Sequence, residues 1–557
     1  MTIDQHPASI TLSRKSAGTS LLPVGLFLLL AVPLLASLFF REPWLWMDEV
    51  ISYTLLSDPS LAHVNKAVVS GLDANPPLFV NLYWLLGHSI SMKLVFLKGL
   101  SIGLFALTVV LFFRYVTGLV GTPLVNVVVL TGIISLTFLN YVLATQIRTY
   151  ALYLLLTVGF VLSAHRLIHV PNSRKWLLVH LGMGCLVLMS HNVGLFYVAS
   201  SLGFFGLLWL WSGQRAYGWI AAVHLLCYGL WAVGWYPQFA IQAEAGKPHS
   251  WIPVPTLLSF FTTVGELLPS PSSQLEHLPA LTWLPVVRVL TVALLFGYVA
   301  LPKLRGGFRA VQSDPAFSFF LLSGVVTVGV LTIALGVSLV HTSVFLSRYF
   351  WPSHLLLVYG LLYAGYAVFP QLQHRLRAWP RLGTLFQAGS ASITFLAVYG
   401  LLLMGFLFFQ SRKVKLFPST IVPYLAQLDP RYPVFFESAD YFLPIWHYRL
   451  APARYLLDWP SANAPGNLPN ATVDYNIINS LRTHYGVRAA LMTNSFLGEK
   501  TLAAPDLAPN GHFYVVDEAS RYQIERLLRD HQVQLIRRLP IPIAGHQLLE
   551  CRLANGG

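Results

Sequence analysis

The chain has 557 residues, 55% of them hydrophobic and only 10% charged, with a formal net charge of +14. Soluble proteins carry roughly 25% charged residues, so most of this chain cannot face water and a wholly soluble protein is excluded. No nucleotide-binding glycine motif and no nucleic-acid module accompanies the basic excess, which therefore does not read as a nucleic-acid surface.

The pattern predicts a polytopic α-helical membrane protein of about 11–13 transmembrane helices with a small C-terminal α/β domain outside the membrane. Residues 1–20 read as a cytoplasmic tail that ends on Arg14 and Lys15 before the first apolar run, 21–40. That run is long enough to span a bilayer and longer than a signal-peptide core, so it reads as a retained first helix. A first outer segment, 41–75, follows. Residues 76–91 are apolar but short, and are expected to be short, tilted or re-entrant; Lys93 and Lys98 then lie outside, against the charge rule.

Further apolar runs cover 99–117, 123–142, 146–164, 176–190, 192–211, 218–237, 284–301, 316–340, 351–369 and 388–409. The stretch 176–211 is too long for one span and is divided near His191. Eleven crossings place the basic clusters Arg166/Arg174/Lys175, Arg215, Lys303/Arg305/Arg309 and Arg375/Arg377/Arg381 in the cytoplasm. The membrane unit is thus 21–410, and 411–557 is extracytoplasmic. In that tail, β-like runs at 434–438, 488–494, 512–518 and 533–539 alternate with helical patterns at 473–485 and 519–530. The cysteines Cys185, Cys227 and Cys551 have no metal spacing and read as small hydrophobes.

Carboxylates are the informative residues. Of 22 acids, twelve lie beyond residue 410, and five of the other ten crowd the first outer segment: Glu42, Asp48, Glu49, Asp58 and Asp73. None lies between Asp73 and Glu244. A cation-coupled transporter normally carries acids inside its helices, so this distribution argues against one. Asp48 and Glu49 sit among Trp44, Trp46 and Tyr53, at an expected membrane interface. A carboxylate there suits general-base work, and equally suits capping a short helix that runs to Leu56. Arg148 and Arg348 fall at outer helix ends with no acid near them in sequence. Phosphate is an apt partner for such guanidinium forks; snorkelling to lipid headgroups is the alternative. His191 falls at an outer hairpin tip, where a lone His reads first as structural. His341 and His354 flank Arg348 and read the same way.

Four short motifs occur in order: MDE (47–49), DANPPL (73–78), IRTYAL (147–152) and SRYFWP (347–352). Their order and spacing resemble the polyprenyl-phosphate-dependent glycosyltransferases of the GT-C fold, the group related to protein O-mannosyltransferases and aminoarabinose transferases. The resemblance covers roughly residues 20–410. It implies that Asp48 is the catalytic base, that Arg348, with Tyr349 beside it, meets the leaving phosphate, and that Arg148 and Tyr150 line the same cavity. It further implies that Glu49 and Asp73 shape the pocket, with His191 among the substrate-binding residues. The donor implied is a polyprenyl-phosphate-linked sugar, with the acceptor unknown (lipid, glycan or protein). Asn75 stands where some relatives have Lys or His. Some relatives also bind a divalent metal near the first loop; here no ligand set is evident, and no cofactor is assigned. The reaction implied is inverting transfer at the outer face of a bacterial inner membrane. The alternative is a transporter or flippase of a lipid-linked or anionic substrate, although no duplicated halves are seen.

Overall fold

The computed structural model describes residues 34–35, 44–120, 138–246, 252–269, 283–376, 421–451, 453–457, 471–487, 489–491, 511–518, 523–541, 543 and 545–554. The expected span 388–409, and most of 21–40 and 123–142, lie outside these residues.

The segment before the membrane body is helical. Helix α1 (Met47–Leu56) and helix α2 (Leu61–Ala67) lead into a π-helical turn, Val68–Leu72. Gly71 adopts φ +98° there, a conformation that costs glycine nothing and turns the chain toward Asp73. Helix α3 (Leu78–Ser89) follows Pro76 and Pro77; its 12 residues span about 18 Å. That is short of the ~30 Å hydrocarbon core, as the sequence led us to expect for 76–91.

The membrane body comprises α4 (Leu94–Val120), α5 (Phe138–Ala144), α6 (Tyr150–His169), α7 (Arg174–Leu188), α8 (Gly194–Ser212), α9 (Arg215–Gly234), α10 (Tyr236–Gly246), α11 (Leu257–Leu267), α12 (Leu284–Leu304), α13 (Gly307–Ser313), α14 (Pro315–Val340) and α15 (Trp351–Leu376). Among the described residues, α4, α6, α8, α9, α12 and α14 are long and apolar enough to cross a membrane. The protein is an integral membrane protein. Helix α6 is its axis: most of its apolar residues are buried, whereas few of those of α12, at the periphery, are. It packs on α4, α7, α14 and α15.

Local chemistry sets the helix ends. Asp314 accepts the Phe317 N–H at 3.0 Å and Pro315 occupies the first turn, which starts α14. The α7–α8 hairpin closes around residues 189–193, as the division near His191 anticipates. A Cβ on Gly194 would meet the Val187 carbonyl oxygen at 2.5 Å, so only glycine permits this approach. Inside the bundle, buried polar side chains satisfy one another. His180 meets Ser163 (2.8 Å) and His224 (3.1 Å), and Tyr197 meets Ser353 (2.7 Å). Such pairs hold helices together where no hydrophobic effect can.

After helix α16 (Val422–Leu425), the tail forms a six-stranded sheet in the order β3-β2-β1-β4-β6-β5. The strands are β1 (Val434–Phe436), β2 (Ala453–Leu457), β3 (Ala489–Leu491), β4 (His512–Glu518), β5 (Val533–Leu539) and β6 (His546–Leu553). Strands β1 to β4 are parallel; β6 and β5 add antiparallel pairs. Helices α17 (Ala439–His447), α18 (Ala471–Tyr485) and α19 (Gln523–Arg529) complete the domain. It touches segment 44–72 directly. The Leu45 N–H donates to the Tyr448 hydroxyl (3.0 Å), and Ser70 meets Ser480 (3.1 Å).

Candidate active site

The site forms where segment 44–75 meets the Tyr150 end of α6 and the Trp351 end of α15. Helix α1 is entered from Trp46, with no side-chain capping bond, so Asp48 stands in the first turn with its carboxylate left over for other work. The capping role considered for it is therefore unfilled.

The two arginines that lack acidic neighbours in sequence meet them in space. Arg148 Nη2 and Arg348 Nη1 each lie 4.0 Å from the same Asp48 oxygen, Oδ2. Arg148 Nη1 is 3.5 Å from Asp73 Oδ2 and donates to Ser52 Oγ at 3.1 Å. Its Nε is buried and has no hydrogen-bond partner among the described residues. Burial alone would lower the pKa of Arg148, but Asp48 and Asp73 more than offset it, and the pKa is raised. The Arg348 guanidinium sits over the Trp46 ring at 5.8 Å and beside Tyr349 at 5.6 Å. The two arginine side chains are only 11% and 21% exposed.

Glu49 does different work from its neighbour. It accepts the Ile147 N–H at 3.0 Å and pairs with Lys98 at 3.3 Å. It thereby pins the turn that carries Arg148 onto α1. Lys98, which the sequence reading sets against the charge rule, is the counter-ion of this buried carboxylate. Sequence reasoning missed that role; its only signal was the exception itself. Asp73 is held by its own turn: Oδ1 accepts from the Asn75 backbone and side-chain amides, both at 3.0 Å. Gln242, a second missed residue, donates to the carbonyls of Val68 and Asp73 (2.9 and 3.0 Å).

His191 lies beneath the arginines, stacked on Tyr153 at 4.8 Å and near Tyr150 (6.0 Å) and Tyr349 (5.2 Å). Burial, then the charges of Arg148 and Arg348, push its pKa down to about 3, which favours the neutral ring. Nδ1 accepts the Val193 N–H at 3.1 Å, which leaves the proton on Nε2. The structure therefore gathers Asp48, Glu49, Asp73, Arg148, Tyr150, His191, Arg348 and Tyr349 into one region. His354 is apart and structural, bonded to Leu267 O (2.7 Å) and Asn140 (3.1 Å); His341 is exposed beside Thr342. No group of three metal-ligating side chains converges around Asp48 among the described residues.

No protein-family model matches the chain, and no curated protein does. Solved structures do. ArnT from Cupriavidus metallidurans in the apo state aligns with TM-score 0.51 at 14% identity, covering 96% of this chain and 98% of that one. The fold is that of ArnT. This is the GT-C-like architecture that the motif order implies: a polytopic helical body with a small C-terminal sheet. ArnT bound to undecaprenyl phosphate aligns similarly, with TM-score 0.49 at 12% identity over 97% of this chain and 99% of that one.

Proposed function

We propose that the protein transfers a sugar from a polyprenyl-phosphate-linked donor to an acceptor at the outer membrane face, with inversion at the anomeric carbon. The observation that carries this reading is a single carboxylate, Asp48, set between two buried guanidiniums at equal distance. The donor class follows from the motif resemblance, with which the ArnT fold is consistent.

Asp48 takes the proton of the acceptor hydroxyl or amine. The acceptor atom forms a bond to the anomeric carbon as that carbon's bond to the phosphate oxygen breaks. The electron pair leaves with the polyprenyl phosphate, whose extra charge Arg348 and Arg148 stabilise. Neutral His191 offers an Nε2–H to the same region, and Tyr150 and Tyr349 line it. Glu49 and Asp73 are positioning residues, holding the Arg148 turn and its side chain.

The orientation has support of its own. The basic residues Arg166, Arg174 and Lys175 lie at the far ends of α6 and α7 from this site, Arg166 about 24 Å away along α6. The positive-inside rule then puts those ends in the cytoplasm and the site outside, in line with the cytoplasmic N-terminus and bacterial inner membrane expected from the sequence. In this reading, membrane unit 21–410 carries the chemistry and 411–557 is an outer domain resting on the first outer segment.

The test is turnover in nanodiscs with candidate polyprenyl-phosphate sugars and acceptors, read as free polyprenyl phosphate. Release that depends on Asp48 supports the proposal. Transport of an intact lipid-linked substrate, without cleavage, overturns it in favour of a flippase.

A further inference from the structure

The C-terminal sheet changes direction between β1 and β4. From β1 the chain steps outward to β2 and β3, then returns to place β4 on the other side of β1. Such a reversal opens a crevice at the carboxyl ends of the two strands, the usual place for a ligand in an open α/β sheet. Two acids stand at that edge: Glu437, which follows β1, and Asp517, near the end of β4. Glu525 on α19 joins them. Ligand oxygens of all three lie within 4.8 Å of one another.

The burial is unusual. Glu437 and Asp517 are each 0% exposed. Glu437 accepts the Ile524 N–H (2.7 Å) on one oxygen and the Glu518 N–H (3.2 Å) on the other, which fixes the carboxylate in place. Gln547 donates to Asp517 Oδ2 at 2.6 Å and orients that side chain. Asp517 Oδ1 and Glu525 Oε2 remain buried with no hydrogen-bond partner among the described residues. Three acids cannot all ionise at this spacing in a buried pocket without compensation. Burial and the neighbouring acids push Glu437 well up, and push Glu525 up to about 6, although Arg529 and Arg538 act on Glu525 in the opposite sense.

We propose that Glu437, Asp517 and Glu525 form a site for a hard divalent cation of the calcium or magnesium class. The donor set is all oxygen, which disfavours zinc and copper. Calcium–oxygen distances of about 2.3–2.6 Å separate opposing ligands by roughly 5 Å, which accommodates the observed spread. The cation ties α19 to the ends of β1 and β4. It takes no part in the chemistry around Asp48, and its existence does not depend on the proposed reaction.

The competing explanation is a proton shared within the cluster. Isothermal titration of the chelator-treated full-length protein with calcium alone, then magnesium alone, separates the two. Saturable binding of one equivalent is expected, with an affinity of about 10⁻⁴–10⁻³ M if the site resembles weak extracellular modules. Melting of the C-terminal domain should rise by on the order of 2–4 °C in saturating cation. Asp517→Asn and the milder Glu525→Gln, at a half-buried position, should each abolish the heat, while Asp48→Asn retains it. No saturable heat and no melting shift in the wild-type protein would overturn the site in favour of the shared proton. Binding that survives both substitutions would place the cation elsewhere and overturn it as well.

Discussion

Around Asp48, three carboxylates stand among three cations: Lys98 on Glu49, and Arg148 and Arg348 on Asp48, with Arg148 also reaching Asp73. Around Glu437, three carboxylates stand together, and two of their buried oxygens have no hydrogen-bond partner among the described residues. Both clusters are removed from water, so desolvation is costly in each. They differ in what would complete them. In the first, the guanidiniums sit at 4.0 Å, beyond direct hydrogen bonding, and an incoming phosphate can compete for them. In the second, a proton or a cation lowers the energy. The first arrangement is suited to receive an anion, the second a cation.

The largest expected effect breaks the first cluster at its centre. Asp48→Asn keeps the shape and removes the proposed base, and should lower kcat for polyprenyl phosphate release by about 10²–10⁴-fold. The donor KM should change far less, because both arginines remain. Turnover unaffected by the substitution would remove Asp48 from its assigned role. Next comes the anion side. Arg348→Ala should cost about 10²–10³-fold in kcat, as loss of a charge-stabilising donor does. Arg348→Lys should rescue little, since an ammonium cannot reproduce the planar fork or the contact over Trp46.

A third substitution asks whether Glu49 belongs to the chemistry or to the scaffold. Glu49→Gln leaves Lys98 buried without its charge partner and should destabilise the protein by about 3 kcal/mol, read by thermal melting. Adding Lys98→Met should recover most of that loss, because the pair is removed together. If Glu49 were a second base instead, the double variant would regain stability without regaining turnover.

Much of this was legible before the structure. The crowding of acids at 42–73 pointed to the first outer segment, and the expected strands at 512–518 and 533–539 coincide with β4 and β5. The pairings were not legible. Arg148 and Asp73 are 75 residues apart, and nothing local in ATQIRTYA announces that an acid will arrive. Strands β2 (ARYLL) and β6 (HQLLECRL) were missed because neither alternates cleanly: β6 buries four consecutive residues, Leu548 to Cys551. The acid cluster in the tail left one faint trace. Glu437 and Asp517 each directly follow a buried apolar strand run, VFF and YVV, where the sheet edge would bring them together.

The smallest effect sharpens the second half of the comparison. Glu525 is raised by burial, then by Asp517, from its ordinary 4.5 to about 6. A carboxyl with a raised folded pKa holds its proton more tightly folded than unfolded. It costs nothing below about pH 4.5, where both states are protonated, and its full penalty applies above about pH 6. Glu437 shifts the same way and extends the loss to higher pH. Chelator-treated protein should therefore show a C-terminal melting transition that falls as pH rises from about 4.5 through 6 and beyond. Glu525→Gln should flatten the lower part of that slope. Calcium should flatten the slope too, by stabilising the ionised cluster that the proton otherwise neutralises. A slope that calcium leaves unchanged while Glu525→Gln removes it would mean the proton alone balances the cluster, and the contrast with the arginine-paired acids around Asp48 would then be one of proton against cation side chain.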